Sequence, residues 1–343
     1  MLIALIIIIT IALSGVLLFT NNALIIKLRG KPFKFNKQKF KRIILGMNFT
    51  DGLLYKIILY SLLIIISFIF LYPVIYMMLT SLKPQMDLAD TTAGLLPTKF
   101  DFNNYRVAIG ELNYLNALYK SMLVALLPTL INVIVASITA YGFAKFNFPL
   151  KKLWFGVMIA TYIVPVTLIS IPQYAWYAKL KLLGSIFTYL LPASFGQGLN
   201  FALYFLILYS TFSRIPKQLE ESAKIDGAND LQIFFKIILP LVIPSMITVI
   251  LFSFVWYWND STTAAMYLNK LRAGQTTPRW ITLPIALANY QASLASIGEK
   301  EAILYRGIKM AATFLSIVPL MIIYVALQKY FVEGIEKSGI AGE

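Results

Sequence analysis

The chain has 343 residues, 59% of them hydrophobic and only 13% charged, with a mean hydropathy of +0.75 and a formal net charge of +15. A soluble domain carries about twice that share of charge, and the absence of Cys and His excludes disulfides, thiolate metal sites, Cys nucleophiles and imidazole acid–base chemistry. The excess of Lys and Arg is read as the loop bias of a membrane protein rather than as a nucleic-acid surface.

Seven apolar runs of about 20 residues, each sufficient for roughly 30 Å of hydrocarbon, are expected near 2–20, 57–80, 121–143, 153–175, 186–211, 238–258 and 310–328. The first lacks a basic front end and a small-residue cleavage pattern, so it is read as a retained helix (1–22) rather than a signal peptide. A basic linker, 23–55, follows and carries Lys27, Arg29, Lys31, Lys34, Lys37, Lys39, Lys41 and Arg42. It reads as a topology signal in contact with anionic lipid; a docking arm for a cytoplasmic partner is the alternative. A cytoplasmic linker puts 144–152 and 212–237 on the same side, and 81–117, 176–185 and 259–309 outside. The stretch 259–309 is itself basic, but long loops weigh little in this rule.

The interiors of the seven runs hold no Asp, Glu, Lys or Arg. Proton carriers and voltage sensors depend on such groups, no catalytic constellation is visible, and no GxxxxGK[ST] phosphate loop is present. Prolines recur in or beside the runs, at Pro73, Pro128, Pro165, Pro172, Pro192, Pro244 and Pro319, and predict kinked helices. No internal repeat is apparent, which disfavours inverted-repeat folds.

Between the fifth and sixth runs lies the polar segment 213–240, which includes EESAKIDGANDLQIFFKIILP (220–240). Pro216 suits a helix start, where its missing N–H costs nothing. Lys217–Glu221 and Glu220–Lys224 are spaced as i,i+4 ion pairs. Leu219, Ala223 and Gly227 form a narrow face with small residues, open to close approach by another surface. Gly227 stops the helix, and Asn229 or Asp230 caps the next one.

This segment resembles the EAA loop of importer-type ABC transporter permeases, through Glu221-Ser222-Ala223, Asp226-Gly227-Ala228 and Ile237-Ile238-Leu239-Pro240, with Ser222 in place of the usual Ala. YPVIYMMLTSLKP (72–84), ASITAYGFAKFNFP (136–149), WYWND (256–260), TLPIALANY (282–290) and KYFVEGI (329–335) are similar to segments of the carbohydrate branch that includes the maltose permeases. The resemblance implies an all-α membrane protein: a six-helix type I ABC permease domain over 56–343, preceded by one extra N-terminal transmembrane helix. It implies a multi-pass protein of the bacterial plasma (inner) membrane, with a second homologous permease, a cytoplasmic ATPase dimer, an extracytoplasmic solute-binding protein and a carbohydrate substrate as partners. ATP and Mg would then sit on the ATPase, with no cofactor, metal or catalytic residue in this chain. Glu220, Glu221, Ser222, Ala223, Asp226 and Gly227 would form the coupling surface, Glu221 as the charged contact, Ala223 as the seat and Gly227 as the turn. The extra helix and a long external stretch 259–309 depart from the family pattern.

Trp256, Tyr257, Trp258 and Asn259 are the candidate solute-path residues, because sugars offer C–H faces to aromatic rings and hydroxyls to amides. An interfacial aromatic belt is the competing reading for the same cluster, as it is for Tyr174, Trp176 and Tyr177. Permeases for peptides or glycerol phosphate, or a secondary carrier, are the functional alternatives; phosphate esters would call for basic groups in the spans, and there are none.

The topology is testable. A single cysteine at Asn36, in a chain with no other Cys, is expected to resist membrane-impermeant thiol reagents in intact cells. Ready labelling from outside would invert the assignment.

Overall fold

The computed structural model describes residues 52–338, less 91, 93, 272–273 and 297–302. The expected N-terminal helix and nearly all of the basic linker lie outside the described residues. All regular structure among the described residues is helical, and the chain divides into two compact units, Met1–Leu79 and Thr80–Glu343.

The first unit contributes most of α1 (Leu53–Ser81). Apolar residues occupy every side of this helix, the pattern of a segment solvated by lipid or protein rather than water. Tyr72 lies 5.9 Å from Phe68 and 6.3 Å from Tyr76, ring centre to ring centre, an i,i+4 aromatic row along one face.

The second unit opens with α2 (Gln85–Ala89) and α3 (Asn103–Glu111). The Asp87 carboxylate accepts the Thr98 amide and hydroxyl at 2.7 and 2.8 Å, and Asn104 Nδ2 donates to the carbonyls of Ser81 and Lys83 at 2.9 Å each. These buried polar side chains replace the backbone ladder that the connecting segment lacks.

The unit is organised on α4 (Tyr114–Lys145), a helix of 32 residues. Its buried face carries Ala117, Ser121, Ala125, Asn132, Ala136 and Ala140, mostly small residues at intervals of one turn. In hydrocarbon, apolar side chains gain nothing by leaving lipid, so helices associate through close van der Waals contact, and small residues permit it. After α5 (Lys151–Ile163), α6 (Val166–Lys179) and α7 (Phe187–Ser194) come α8 (Phe201–Arg214), α9 (Lys217–Ile225) and α10 (Asp230–Ile233). A π-helical turn, Phe234–Ile238, leads into α11 (Leu239–Asn259), and α12 (Thr262–Tyr267), α13 (Leu283–Ala295) and α14 (Arg306–Ser338) follow. α4 packs on α7, α8 and α11, and α11 packs on α14. One apolar cluster gathers around Val124, Tyr257, Trp258 and Ala311, the other around Ala140, Tyr141, Phe212 and Ile238.

Among the described residues, Tyr55–Ser81, Tyr114–Lys145, Asp230–Asn259 and Arg306–Lys329 are long and apolar enough to cross a membrane. They contain the expected spans 57–80, 121–143, 238–258 and 310–328. The other two expectations are corrected. The span at 153–175 is two helices, α5 and α6, bent by 93° at Val164–Pro165. Pro165 drives the preceding residue out of the helical region, and Val164 is extended (φ −67°, ψ 121°). The span at 186–211 is also broken, at Phe195–Asn200, where Gly196 (φ 70°) and Asn200 (φ 53°) take left-handed backbone. The stretch 259–309, expected to be external, contains α12 and α13 among its described residues.

The polar segment folds as its local signals indicate. Pro216 stands immediately before α9, and Gly227 closes the helix at φ 83°. The Ala228 amide donates to the Ala223 carbonyl, and the Gly227 amide to that of Lys224, each at 3.0 Å, which together make a Schellman cap. Asn229 Oδ1 accepts the Gln232 amide at 2.8 Å, while Gln232 Oε1 accepts the Asn229 amide at 3.0 Å, a reciprocal capping box on α10. In the π-helical turn the Leu239 amide reaches the Phe234 carbonyl; Pro240 has no N–H for the ladder and its ring crowds the preceding turn, which the wider π geometry accommodates.

A Cβ at Gly227 would have no heavy atom within 4 Å, so substitution there strains the backbone alone. Gly227→Val is expected to cost ~1–2 kcal/mol, which raises the opened population of this turn by a factor of about 5–30. Limited trypsin digestion should therefore cut faster after Lys224 in the valine variant and little faster in Gly227→Asn. Equal cleavage of wild type and the valine variant would refute the strained turn.

Candidate functional site

The sequence singles out two regions, and they have different structural characters. At the end of α11, Trp256 is exposed and Tyr257 and Trp258 are buried. Trp258 packs beside Phe254 within an apolar cluster, with ring centres 5.6 Å apart. Trp256, Tyr257 and Asn259 line a cavity of about 480 Å³; Trp258 is not part of its wall.

Both broken spans build this cavity. Thr161, Tyr162 and Val164 come from the bend between α5 and α6, Gly196 to Asn200 from the break between α7 and α8, and Asp260 to Thr263 from the junction of α11 and α12. The break leaves Leu199 without helical partners, and two other helices supply them. Tyr257 Oη accepts the Leu199 amide at 3.1 Å, and Asn132 Nδ2 of α4 donates to the Leu199 carbonyl at 3.2 Å. Gly198 fits between them: a Cβ there would stand 2.7 Å from Tyr257 Oη and 2.8 Å from Asn132 Oδ1.

Among the described residues, the one carboxylate on the wall, Asp260, is engaged within the protein. Its Oδ2 accepts the Tyr189 hydroxyl at 2.6 Å and its Oδ1 the Thr263 amide at 2.9 Å. The Tyr267 hydroxyl donates toward the Ser170 carbonyl and Gln173 Oε1, both at 3.2 Å. Burial, with Tyr177 and Asp260 nearby, pushes the Tyr267 phenol up to about 12, so it remains a neutral donor at physiological pH. The wall thus offers aromatic faces and neutral hydrogen-bonding groups. Its volume lies within the roughly 300–1,000 Å³ typical of small-molecule sites.

The second region, 213–240, has two faces. Ala223 is buried against this chain's own cluster, which also holds Tyr141, Phe212 and Phe234. The Tyr141 ring centre lies 4.7 Å from that of Phe234 and 5.6 Å from that of Phe212. The small face expected to receive another surface therefore meets, at Ala223, the chain's own core. Glu220 also turns inward, with Oε1 2.6 Å from Lys145 Nζ, and Lys224 pairs with Asp230 at 3.0 Å. The i,i+4 pair expected between Glu220 and Lys224 is replaced by these longer-range partners. Glu221, Ser222, Asp226 and Gly227 are exposed, beside an outward Ile225 that is 86% accessible and Leu231 at 69%.

Sequence reasoning missed Asn132, Tyr162, Gly198 and Lys145. A polar Asn within an apolar run was the available signal for Asn132, and the paired glycines of FGQGLN (195–200) for the break. A second cavity, of about 290 Å³ and lined by Glu111, Asn113, Asn116, Lys120, Asn289 and Tyr290, was also not anticipated.

Comparison with known proteins accords with this geometry. Residues 116–337 match the family model described as the binding-protein-dependent transport system inner membrane component. A Bacillus subtilis polygalacturonan/rhamnogalacturonan transport system permease is 30% identical over 297 residues, which cover 84% of this chain and 99% of the relative. A Synechocystis permease for uptake of osmoprotective compounds is 33% identical over 277 residues, 79% of this chain and 87% of the relative. A melibiose/raffinose/stachyose import permease of Bacillus subtilis is 29% identical over 275 residues, 79% and 91% of the two chains. The fold is shared with a crystal structure of a bacterial ABC transporter involved in the import of the acidic polysaccharide alginate, at a TM-score of 0.67 and 24% identity over 88% of this chain and 100% of the other. With its polar helix–turn–helix between apolar helices and this match over most of its length, the chain belongs to the inner-membrane components of binding-protein-dependent ABC transport systems, as a multi-pass permease.

Proposed function

We propose that the chain is the permease subunit of an ATP-driven oligosaccharide importer, and that the cavity at the broken helices is part of the solute path. The observation that carries this reading is the cavity wall: Tyr162, Trp256 and Tyr257 offer rings, while Gln173, Gln197, Asn200 and Asn259 offer amides. Rings stack on the C–H faces of sugars and amides exchange hydrogen bonds with hydroxyls. Import permeases for galacturonan polymers and for raffinose-type oligosaccharides among the relatives support the same solute class.

The remainder of the assembly follows from membership of the family. A second homologous permease completes the pathway, and an extracytoplasmic binding protein delivers solute to the outer face. ATP and Mg are handled by a separate cytoplasmic ATPase dimer. The segment 213–240 is the coupling loop of the permease domain 56–343, and its exposed face, Glu221, Ser222, Ile225 and Asp226, meets the ATPase. A short exposed helix that is polar around an apolar residue suits an interface that must hold yet move. Ala223 seats the loop on this chain's own core, and the exposed Gly227 supplies its turn. The N-terminal helix 1–22 and linker 23–55 anchor the chain to lipid through the basic residues 27–42.

Reconstitution with the partner permease, ATPase and binding protein tests the reading through uptake of labelled oligosaccharides. Trp256→Ala and Tyr162→Ala are expected to lower uptake by roughly three- to tenfold each, the worth of one aromatic contact, without loss of the ATPase from the complex. Glu221→Lys with Ile225→Asp should release the ATPase while the permease remains in the membrane. ATP-independent uptake by the wild type, or full uptake by both cavity variants, would overturn the corresponding assignment.

A further inference from the structure

Lys145 and Glu220 form an ion pair in an unusual place. Lys145 is the last residue of α4, and its side chain is 5% accessible; that of Glu220, on α9, is 17% accessible. Nζ of Lys145 lies 2.6 Å from Glu220 Oε1 and also donates to the Ile215 carbonyl at 2.9 Å, just ahead of α9. One ammonium therefore ties the end of the long helix to the polar segment at two points. Nearby, Ala223, Tyr141, Phe212 and Phe234 form an apolar floor.

Such a pair differs in kind from the Lys224–Asp230 bridge, whose side chains are more than half accessible and which contributes little. Charges removed from water hold each other strongly, and loss of one partner leaves the other stranded. The pair therefore resists separation: displacement of α9 must move the end of α4 or incur that penalty. α4 is a continuous helix, and from Lys145 it runs about 20 Å at 1.5 Å per residue to Asn132, which holds the broken backbone at Leu199 on the cavity wall.

We infer that Glu220 and Lys145 are positioning residues for transport: they strap the polar segment to α4 and carry its displacement to the solute cavity, while the neighbouring Glu221 faces the ATPase. This rests on the coupling role proposed above and assigns opposite directions to two adjacent glutamates. Glu220 links the segment inward; Glu221 links it outward. A bidirectional link of this sort couples two sites through a physical element that both of them bias.

The experiment measures solute moved per ATP hydrolysed in proteoliposomes containing the complete transporter. Glu220→Gln and Lys145→Met are each expected to retain the ATPase subunit and its hydrolysis, and to lower the ratio of solute to ATP by about tenfold. Lys145→Arg, which preserves the charge and a donor for the Ile215 carbonyl, should keep the ratio near that of wild type. The exchanged double variant, Lys145→Glu with Glu220→Lys, restores the ion pair but not the donation to the Ile215 carbonyl, and should recover part of what either single variant loses. A wild-type ratio in the two single variants, loss of the ATPase from Glu220→Gln, or no recovery in the exchanged pair would overturn the strap. If a single variant fails to accumulate in the membrane, the decision passes to the other two: an exchanged pair that hydrolyses ATP but moves no solute, or a Lys145→Arg ratio far below wild type, would overturn the strap. Absence of ATP-driven uptake in the wild type would instead defeat the importer reading.

Discussion

Within a bilayer no water is at hand to bond a bare peptide group, so irregular backbone is tolerated only where protein or a polar cavity satisfies it. The architecture of the second unit turns on one residue that obeys this constraint. Leu199 sits in the break between α7 and α8, and neither its amide nor its carbonyl has a helical partner. Tyr257 of α11 takes the first and Asn132 of α4 the second. Each of these side chains is buried and belongs to a different long helix, so the break cannot be moved without unpicking both. Gly198 then becomes obligatory, because the two side chains leave no room for a Cβ. The cavity lies beside this arrangement, and Val164 and Val166, on either side of the bend at Pro165, supply part of its wall.

The other end of the unit meets the opposite requirement. There the chain leaves the apolar environment and reverses through a polar segment, whose end groups are satisfied locally by the Gly227 cap and the Asn229–Gln232 box. What keeps this segment against the bundle is tertiary: Ala223 on an aromatic floor, and the ammonium of Lys145 beneath Glu220. α4 connects the two ends, with Asn132 in one and Lys145 at the other.

How much of this could be read from the sequence follows from the range of the interactions involved. Pro216, Gly227 and Asn229 act on their immediate neighbours, and the helix–turn–helix emerges as those residues require. The long spans around 57–80, 121–143, 238–258 and 310–328 were legible because uniform apolarity is a property of the segment itself. The broken spans were hidden by the same uniformity. Pro165 was visible, yet a proline in a membrane helix either kinks or breaks it according to what its neighbours supply. Glu220 presented an i,i+4 lysine and chose a distant one, because a buried partner outweighs an exposed one. Of the two tryptophans in Trp256-Tyr257-Trp258, the one that packs into the core and the one that lines the cavity differ only by helix rotation, which composition does not encode. The N-terminal helix and the linker remain expectations drawn from apolarity and charge.

The row of small residues along α4 has a consequence for how such a chain can diverge. Ala117, Ala125, Ala136 and Ala140 are buried, so extra methylene groups there must be taken up by the packing of the helices, at a cost of about 1–3 kcal/mol where that packing is tight. The outward residues of the same helix, Leu126, Leu130, Ile134 and Ile138, are exposed and touch no such limit. Their apolar length and bulk can therefore drift with the thickness of the host bilayer, whose mismatch is felt only as fractions of a kcal/mol per Å. A permease built in this way can be refitted to a different membrane from its rind alone, with its interior left unaltered.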